Sequence, residues 1–383
     1  MPHMSLAEPE TAADCWTLRE IRQQPETLRA VQAVLDAERA GIDAFLAPLL
    51  ADPARRVILT GAGTSAFIGQ SLAPTLSSDL GRVVEAVATT DIVGAPDLHL
   101  RRTIPTLLVS FGRSGSSPES LAALDLANAM VDDIHHLIIT CNAGGQLAAR
   151  SSSDAAGART KVVILPEETH DRGFAMTSSF TGMMLAALAS FSGIAAFAAR
   201  TPAIADGVAT MTMRADPVMT ALAARGFNRV VYLGSGGFSG LAREAALKLM
   251  ELSDGALVTA FDSTLGFRHG PKTIITPETL VVVFIANDPH TRRYDRDMLA
   301  ELIADGRCGA VLAVSTEPEA AETLVLGEMA GAADCDLLFP YIVPAQLLAL
   351  RVSYALGLTP DQPNRSGTVN RVVQGVRIYT PAA

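Results

Sequence analysis

Unbroken apolar runs alternate with longer stretches in which apolar residues recur every three or four positions, and the whole alternation occurs twice along the chain. "RRVILTGAGTSAFIGQSLAPTL", from Arg55, and "NRVVYLGSGGFSGLAREAALKL", from Asn228, both read as a strand, a glycine turn and a helix. Their turn glycines, Gly61 and Gly234, stand 173 positions apart. Three further pairs of apolar runs follow at an offset of 174: "TLLVSF" with "LVVVFIA" (Leu108 with Val282), "HLIIT" with "AVLAVS" (Ile138 with Leu312) and "KVVIL" with "CDLLF" (Val163 with Leu337). Continuous Val/Ile/Leu runs of this length mark strands buried on both faces, as in a parallel sheet covered by helices. Two copies of one βαβ domain follow, joined by right-handed crossovers. The predicted fold is α/β: two tandem domains, each a doubly wound, mainly parallel five-stranded sheet flanked by helices. Ligands in such sheets bind beyond the carboxyl ends of the strands. In the first copy these ends read "GAGTS", "SFGRSGSS" and "TCNAGG", and in the second "GSGG", "IANDPHT" and "STEP".

Outside the repeat, Leu28, Val31, Leu35, Ile42, Leu46 and Leu49 have helical spacing, so residues 14–50 predict one or two packing helices. No charged residue occurs from Phe174 to Ala199, which is long enough to span a bilayer. The stretch is rich in Ala, Gly and Ser and interrupted at Ser192-Gly193, so two interior helices are expected instead. The predicted organisation is an N-terminal helical segment (1–50), a first domain (51–200), a helical linker (201–226), a second domain (227–360) and a turn-rich tail (361–383) that closes the active site.

The chain has 383 residues, beyond what one core usually supports, and is 49% hydrophobic with only 18% charged residues, which implies thorough burial. A net charge of −10 gives no basic footprint for nucleic acid or an anionic membrane, so an anionic ligand has to be captured by local geometry. Cys15, Cys141, Cys308 and Cys335 are scattered and form no CxxC pair, and the N-terminus shows no basic and apolar leader. A reduced, cytoplasmic protein without a metal is expected.

The phrase "GRSGSSPES" ends a buried strand at Gly112 and starts a helix with Ser117 as cap and Pro118 in the first turn. Helix N–H groups, the dipole and the hydroxyls of Ser114, Ser116 and Ser117 converge there, a recipe for holding a phosphate. "GAGTS" also fits a dinucleotide turn with Glu85 or Asp91 as the ribose acid, but hydroxyls on the neighbouring strand end favour a compact phosphate. Glu244, Lys248 and Glu251 stand at i, i+4 and i+7 on one face of an otherwise apolar helix. Surface ion pairing suits Glu244 with Lys248. Glu251, between Met250 and Leu252, is placed to face a cleft as a general base. His269 sits in the glycine- and proline-punctuated loop "FDSTLGFRHGPK" between Arg268 and Lys272, whereas His135, His136 and His170 lack metal-ligand spacing.

These motifs, in this order, resemble the sugar isomerase (SIS) domain proteins, which include the isomerase half of glucosamine-6-phosphate synthase. "LTGAGTSAFIG", "SFGRSGSSPES", "ETHDRGFAMTSSFTGMM", "YLGSGGFSG", "GFRHGPK" and "GTVNRVVQGV" are more closely similar to the AgaS family of N-acetylgalactosamine catabolism, over nearly the whole chain. The resemblance implies two tandem SIS domains, an amino-sugar 6-phosphate substrate, no cofactor and a homodimer. Ser65, Ser114 and Ser117 would hold the phosphate, helped by Thr64 and the backbone of Gly63, Gly112 and Arg113. Glu251 would move the proton between C1 and C2, His269 would assist ring opening from the neighbouring subunit, and Glu244 and Lys248 would support Glu251. Two departures stand out: Gly112 replaces the serine that opens the synthase phosphate loop, and about Thr368 stands where that branch has a tail lysine. With no glutaminase domain, the catabolic direction is expected: galactosamine 6-phosphate to tagatose 6-phosphate plus ammonia. Glucosamine-6-phosphate deamination, simple aldose–ketose isomerisation and a phosphosugar-binding regulator remain alternatives.

Overall fold

The computed structural model describes residues 15–152, 159–373 and 375–379, so the N-terminal residues 1–14, where no leader is expected, lie outside the described residues. A single long helix, α1 (Trp16–Ala51), opens the fold and runs through two prolines. Pro25 cannot donate to the Ile21 carbonyl, and the Gln24 amide takes that place at 3.0 Å, so the helix continues unbroken.

The first sheet comprises β1 (Arg56–Thr60), β2 (Val84–Ala86), β3 (Thr106–Gly112), β4 (Ile134–Thr140) and β5 (Thr160–Ile164), in the order β2-β1-β3-β4-β5 with every pair parallel. Helices α2 (Thr64–Leu80), α3 (Thr89–Gly94), α4 (Pro96–His99) and α5 (Pro118–Met130) connect its strands. Next come α6 (Ser178–Ser192), α7 (Ile194–Ala198) and α8 (Thr201–Ala224). The break between α6 and α7 falls at Gly193, whose φ of 94° suits glycine, and α6 is buried along its length, as the charge-free sequence predicts.

The second sheet repeats the first: β6 (Arg229–Leu233), α9 (Gly237–Leu252), β7 (Val258–Asp262), β8 (Thr279–Phe284), α10 (Thr291–Asp305), β9 (Ala310–Ser315) and β10 (Glu322–Val325), with strand order β10-β9-β8-β6-β7. Helices α11 (Asp334–Tyr341) and α12 (Val343–Ala355) complete the fold. Alternate residues of the inner strands β1, β3, β4, β6, β8 and β9 enter a shared central core with α1, α2, α6, α8, α9, α11 and α12, while the others face an outer layer beneath α5 or α10. Apolar burial of this extent is the main stabilising term, at about 25 cal/mol per Å².

Two expectations are corrected here. "CDLLF" is not a strand but the start of α11, whose side chains are almost wholly buried, and the fifth strand is the short edge segment Glu322–Val325. A short apolar run cannot be told from a buried helix by periodicity, and the acidic Asp334 and Asp336 in its first turn favour the helix. The constant offset of 174 is also one residue out: Ile58 pairs with Leu108, and its counterpart Val231 pairs with Val281, not Val282. Leu108 faces the outer layer whereas Val282 faces the central core, the inversion that a one-residue slip produces.

Candidate functional site

The glycine turns of the two copies have the same backbone. Gly63 and Gly236, the residues before α2 and α9, have φ of 55° and 58°, in the left-handed region. A Cβ on Gly61 would lie 2.5 Å from Ser65 Cβ, and one on Gly234 would lie 2.6 Å from Phe238 Cβ. Only glycine lets the strand end approach the helix so closely. In the first copy the turn delivers buried Thr64 and Ser65 as the opening residues of α2.

Beside it, β3 ends in the loop 112–117. The β4 end shapes this loop: Thr140 Oγ1 donates to the Gly112 carbonyl at 2.7 Å, Asn142 Nδ2 to the Ser114 carbonyl at 2.9 Å, and the Leu147 amide to the Gly115 carbonyl at 2.8 Å. Gly115 has φ 63°, and a Cβ there would lie 3.0 Å from Thr140 Oγ1. Helix α5 begins at Pro118 with Ser117 in the cap position, as expected, but the Ser117 hydroxyl donates to Ser120 Oγ at 2.6 Å instead of accepting from the helix. Its first-turn N–H groups thus remain directed at the loop.

Arg113 alone in this loop carries charge, and its side chain is buried. It donates to the carbonyls of Phe174, at 3.2 Å, and Arg371, at 2.7 Å. Burial and then the charge of Arg371 hold its pKa below the usual value, while the negative charges of Asp171 and Glu251 act the other way. Glu251 is therefore within electrostatic reach of the serine loop.

Glu251 is the outermost member of a chain of ionisable groups on α9. The Lys248 ammonium donates to Glu251 and lies 3.5 Å from Glu244, and Thr64 Oγ1 of the first copy donates to Glu244 at 3.2 Å. The surface pairing expected for Glu244 with Lys248 does not occur: both side chains are buried, at 0% and 1% exposure, whereas the Glu251 carboxylate keeps 25%. The cause is the close crossing of α2 and α9, where a Cβ on Gly240 would lie 2.5 Å from the Ser71 amide nitrogen. Burial pushes Glu244 up to about 8, Lys248 pulling it down and Glu251 pushing it further up. Burial pulls the Lys248 ammonium down, but the two glutamates outweigh it and hold its pKa above the usual value. At neutral pH a protonated Glu244 and a Lys248–Glu251 ion pair satisfy both shifts and leave no uncompensated charge in the interior.

The SIS domain family matches residues 50–193, the whole first sheet and α6. Over 374 residues the chain is 46% identical to the D-galactosamine-6-phosphate deaminase AgaS of Escherichia coli, the match covering 96% of each. The chain belongs to the AgaS family. A second AgaS, a D-galactosamine-6-phosphate deaminase from Shewanella sp. (strain ANA-3), is 44% identical over 95% of this chain and 92% of that one. Among solved structures, the tagatose-6-phosphate ketose/aldose isomerase from Escherichia coli superposes with a TM-score of 0.86 at 42% identity, covering 98% of this chain and 100% of that one.

This AgaS chain also holds groups that its motifs did not single out. The Asp171 carboxylate caps α6, accepting the amides of Thr177, Ser178 and Ser179 at 2.7, 3.1 and 2.9 Å, and the Glu20 carboxylate accepts those of Arg172 and Gly173. The Arg371 guanidinium, from the tail, grips the carbonyls of Asp171 and Gly173. The quoted run "ETHDRGFAMTSSF" carries the signal for Asp171, an acid six to eight residues ahead of three hydroxyl residues.

Other candidates lie elsewhere. His269 ends a 3₁₀ turn after β7, next to Arg268, which donates to Glu301 on α10, and none of its described contacts reaches the serine loops. Thr368 is exposed and bonds to Ser366. Glu85, the ribose acid of the dinucleotide alternative, is paired with Arg56, which holds its pKa low. A groove of about 1020 Å³ between α1, α8 and α12 is lined by none of these candidate residues, and its Asp216 is paired with Arg22 and Arg351.

Proposed function

We propose that the chain is a galactosamine-6-phosphate deaminase/isomerase, releasing ammonia and tagatose 6-phosphate. One observation carries this reading: the Thr64–Glu244 contact joins the serine-lined strand ends of the first copy to the Lys248–Glu251 pair of the second. The names of the AgaS relatives supply the substrate. The phosphate is held by the hydroxyls of Ser65, Ser114 and Ser117 with Thr64 and the backbone of Gly63, Gly112 and Arg113, so that binding energy from a remote group fixes C1 and C2 beside Glu251.

The reaction then needs one carboxylate as base and later acid. With the ring opened by a proton relayed through His269, Glu251 removes the proton from C2 and returns it to C1. As the C1 oxygen takes up a proton and the C2 amine gives one up, C1 becomes an alcohol and C2 an imine, and water adds at C2 to give the ketone and ammonia. Lys248 holds Glu251 in place and stabilises its charged form, and Glu244 fixes Lys248 from behind. Within this reading each sheet is doubly wound, residues 51–200 and 227–360 are the two SIS domains, the tail from 361 closes the site through Arg371, and a homodimer brings His269 to the partner's sugar.

The test is coupled detection of ammonia and ketose with galactosamine 6-phosphate, glucosamine 6-phosphate and tagatose 6-phosphate. The expected result is ammonia and tagatose 6-phosphate in equal amounts from the galacto substrate. The likeness to a structure named for ketose/aldose isomerisation favours one second reading, interconversion without loss of nitrogen. Turnover of tagatose 6-phosphate to an aldose, with no ammonia from either amino sugar, selects it.

A further inference from the structure

The second sheet has its own strand-end crevice, and a buried carboxylate of the protein gathers it. Asp295, on α10, has 0% exposure. Its Oδ1 accepts the hydroxyls of Ser235, at 2.7 Å, and Thr264, at 2.9 Å, and its Oδ2 accepts the Ala286 amide at 3.0 Å. Ser235 and Ala286 follow β6 and β8, the counterparts of β1 and β3, whose ends form the serine site of the first copy, and Thr264 follows β7, the counterpart of β2. The Ala286 amide can only donate, whereas the Ser235 and Thr264 hydroxyls, 2.8 Å apart, can also accept, so an asparagine in place of Asp295 keeps the amide bond through Oδ1 but has to reverse the hydroxyls at Nδ2.

Thr264 is also the entry to the loop that carries His269. After it, the Gly266 amide bonds to Ser263 Oγ at 3.0 Å and the Phe267 amide to the Ser263 carbonyl at 3.0 Å, winding the 3₁₀ turn that His269 ends. Phe267 is buried in the same outer cluster as Met298 of α10, and Arg268 donates to Glu301 of α10 at 2.7 Å. One helix thus holds the loop before its turn, at Thr264, and within it, at Phe267 and Arg268. The mechanism above makes no use of Asp295, yet nothing else in α10 enters the crevice with a charge directed at Thr264.

We infer that Asp295 is a positioning residue for His269, fixing Thr264 and the 263–269 loop so that the imidazole is presented in one place. The inference rests on the reading of His269 as the ring-opening group. Burial raises the Asp295 pKa, and the bonds from Ser235, Ala286 and Thr264 act the other way.

A double-mutant cycle of wild type, D295N, H269N and D295N/H269N tests this. Ammonia release, the inhibition constant of inorganic phosphate and thermal stability are measured for each. D295N is expected to lower kcat by about ten- to a hundredfold, the scale of a displaced catalytic group. Phosphate inhibition should stay unchanged, because that site lies in the first copy. In the H269N background D295N should cost nothing more. Equal losses in both backgrounds, or a kcat loss that tracks a shift in phosphate inhibition, would show a general structural role and overturn the inference. H269N at full rate would remove His269 from the reaction, a failure of the functional reading that takes the inference with it. Should D295N fail to fold, T264V takes its place in the same cycle, with a smaller kcat loss that must likewise vanish beside H269N.

Discussion

The two sheets are built from one plan and put to different work. Their glycine turns agree within a few degrees, at φ 55° and 58°, and their strand orders are the same. In the first copy, hydroxyls and helix N–H groups converge on the strand ends, and the carboxyl that Thr64 meets there, Glu244, comes from the second copy. In the second, hydroxyls at the ends of β6 and β7 are drawn onto Asp295, and in the proposed reading the chemistry has moved to the far end of α9, where Glu251 emerges from a buried ion pair. On the proposed function, duplication of the fold gives a binding half and a reacting half. The α2–α9 crossing brings them together, because its small residues let Glu244 reach Thr64.

The division is broken most sharply at Glu251. Glu251→Gln should lower kcat about a thousandfold, within the range for loss of a general acid–base group, while the inhibition constant of inorganic phosphate stays within twofold. Steady-state kinetics beside phosphate competition check this, with circular dichroism to show the fold intact. A variant that loses phosphate affinity along with turnover would mean that the halves are not separate in function.

The next contrast sets a serine at a strand end of one copy against a serine at a strand end of the other. Ser114→Ala removes a donor to a charged group, typically about 1.5–3 kcal/mol, so KM should rise roughly ten- to a hundredfold with a smaller change in kcat. Ser235→Ala, at a strand end of the other copy, should leave phosphate inhibition unmoved, since its hydroxyl serves Asp295. Equal weakening by both substitutions would contradict the assignment of binding to one copy.

How much of this was legible in the sequence depends on how local the cause is. The Gly61-x-Gly63 and Gly234-x-Gly236 turns and the apolar strands declare themselves, because sterics and burial on both faces act within a few residues. "ETLV" does not, being a four-residue edge strand with one buried side chain, and "CDLLF" misleads because burial on all sides erases periodicity. The spacing of Glu244, Lys248 and Glu251 shows a shared face but not what covers it. That is decided by Gly237 and Gly240 meeting Ser71, some 170 residues away in the chain. Asp295 sits in "TRRYDRDMLAELIAD", which has the composition of a solvated helix, and only the ends of three strands make it a core residue. Likewise Arg113 donates to the Arg371 carbonyl across 258 positions, beyond any local pattern.

The smallest effect concerns the seam itself. Glu244 is pushed up to about 8 from 4.5 by burial, so between those values the folded protein keeps a proton that the unfolded chain releases. The folded state binds more protons throughout that window, and stability therefore falls as pH rises from about 4.5 to 8, by at most about 1.4 kcal/mol per pH unit for one group. Glu20, raised to about 7 by burial and by Asp171, adds a slope of the same sign ending one unit lower. Melting temperatures from pH 5 to 8.5 should drop by a few degrees. Glu244→Gln, which copies the shape of the neutral acid, should match wild type near pH 5 and flatten the decline above pH 7, whereas Glu20→Gln should flatten the lower part alone. Stability that rises across this range, or a Glu244→Gln profile parallel to wild type, would place the negative charge on Glu244 in the folded protein. The seam between the halves would then hold two carboxylates against one ammonium.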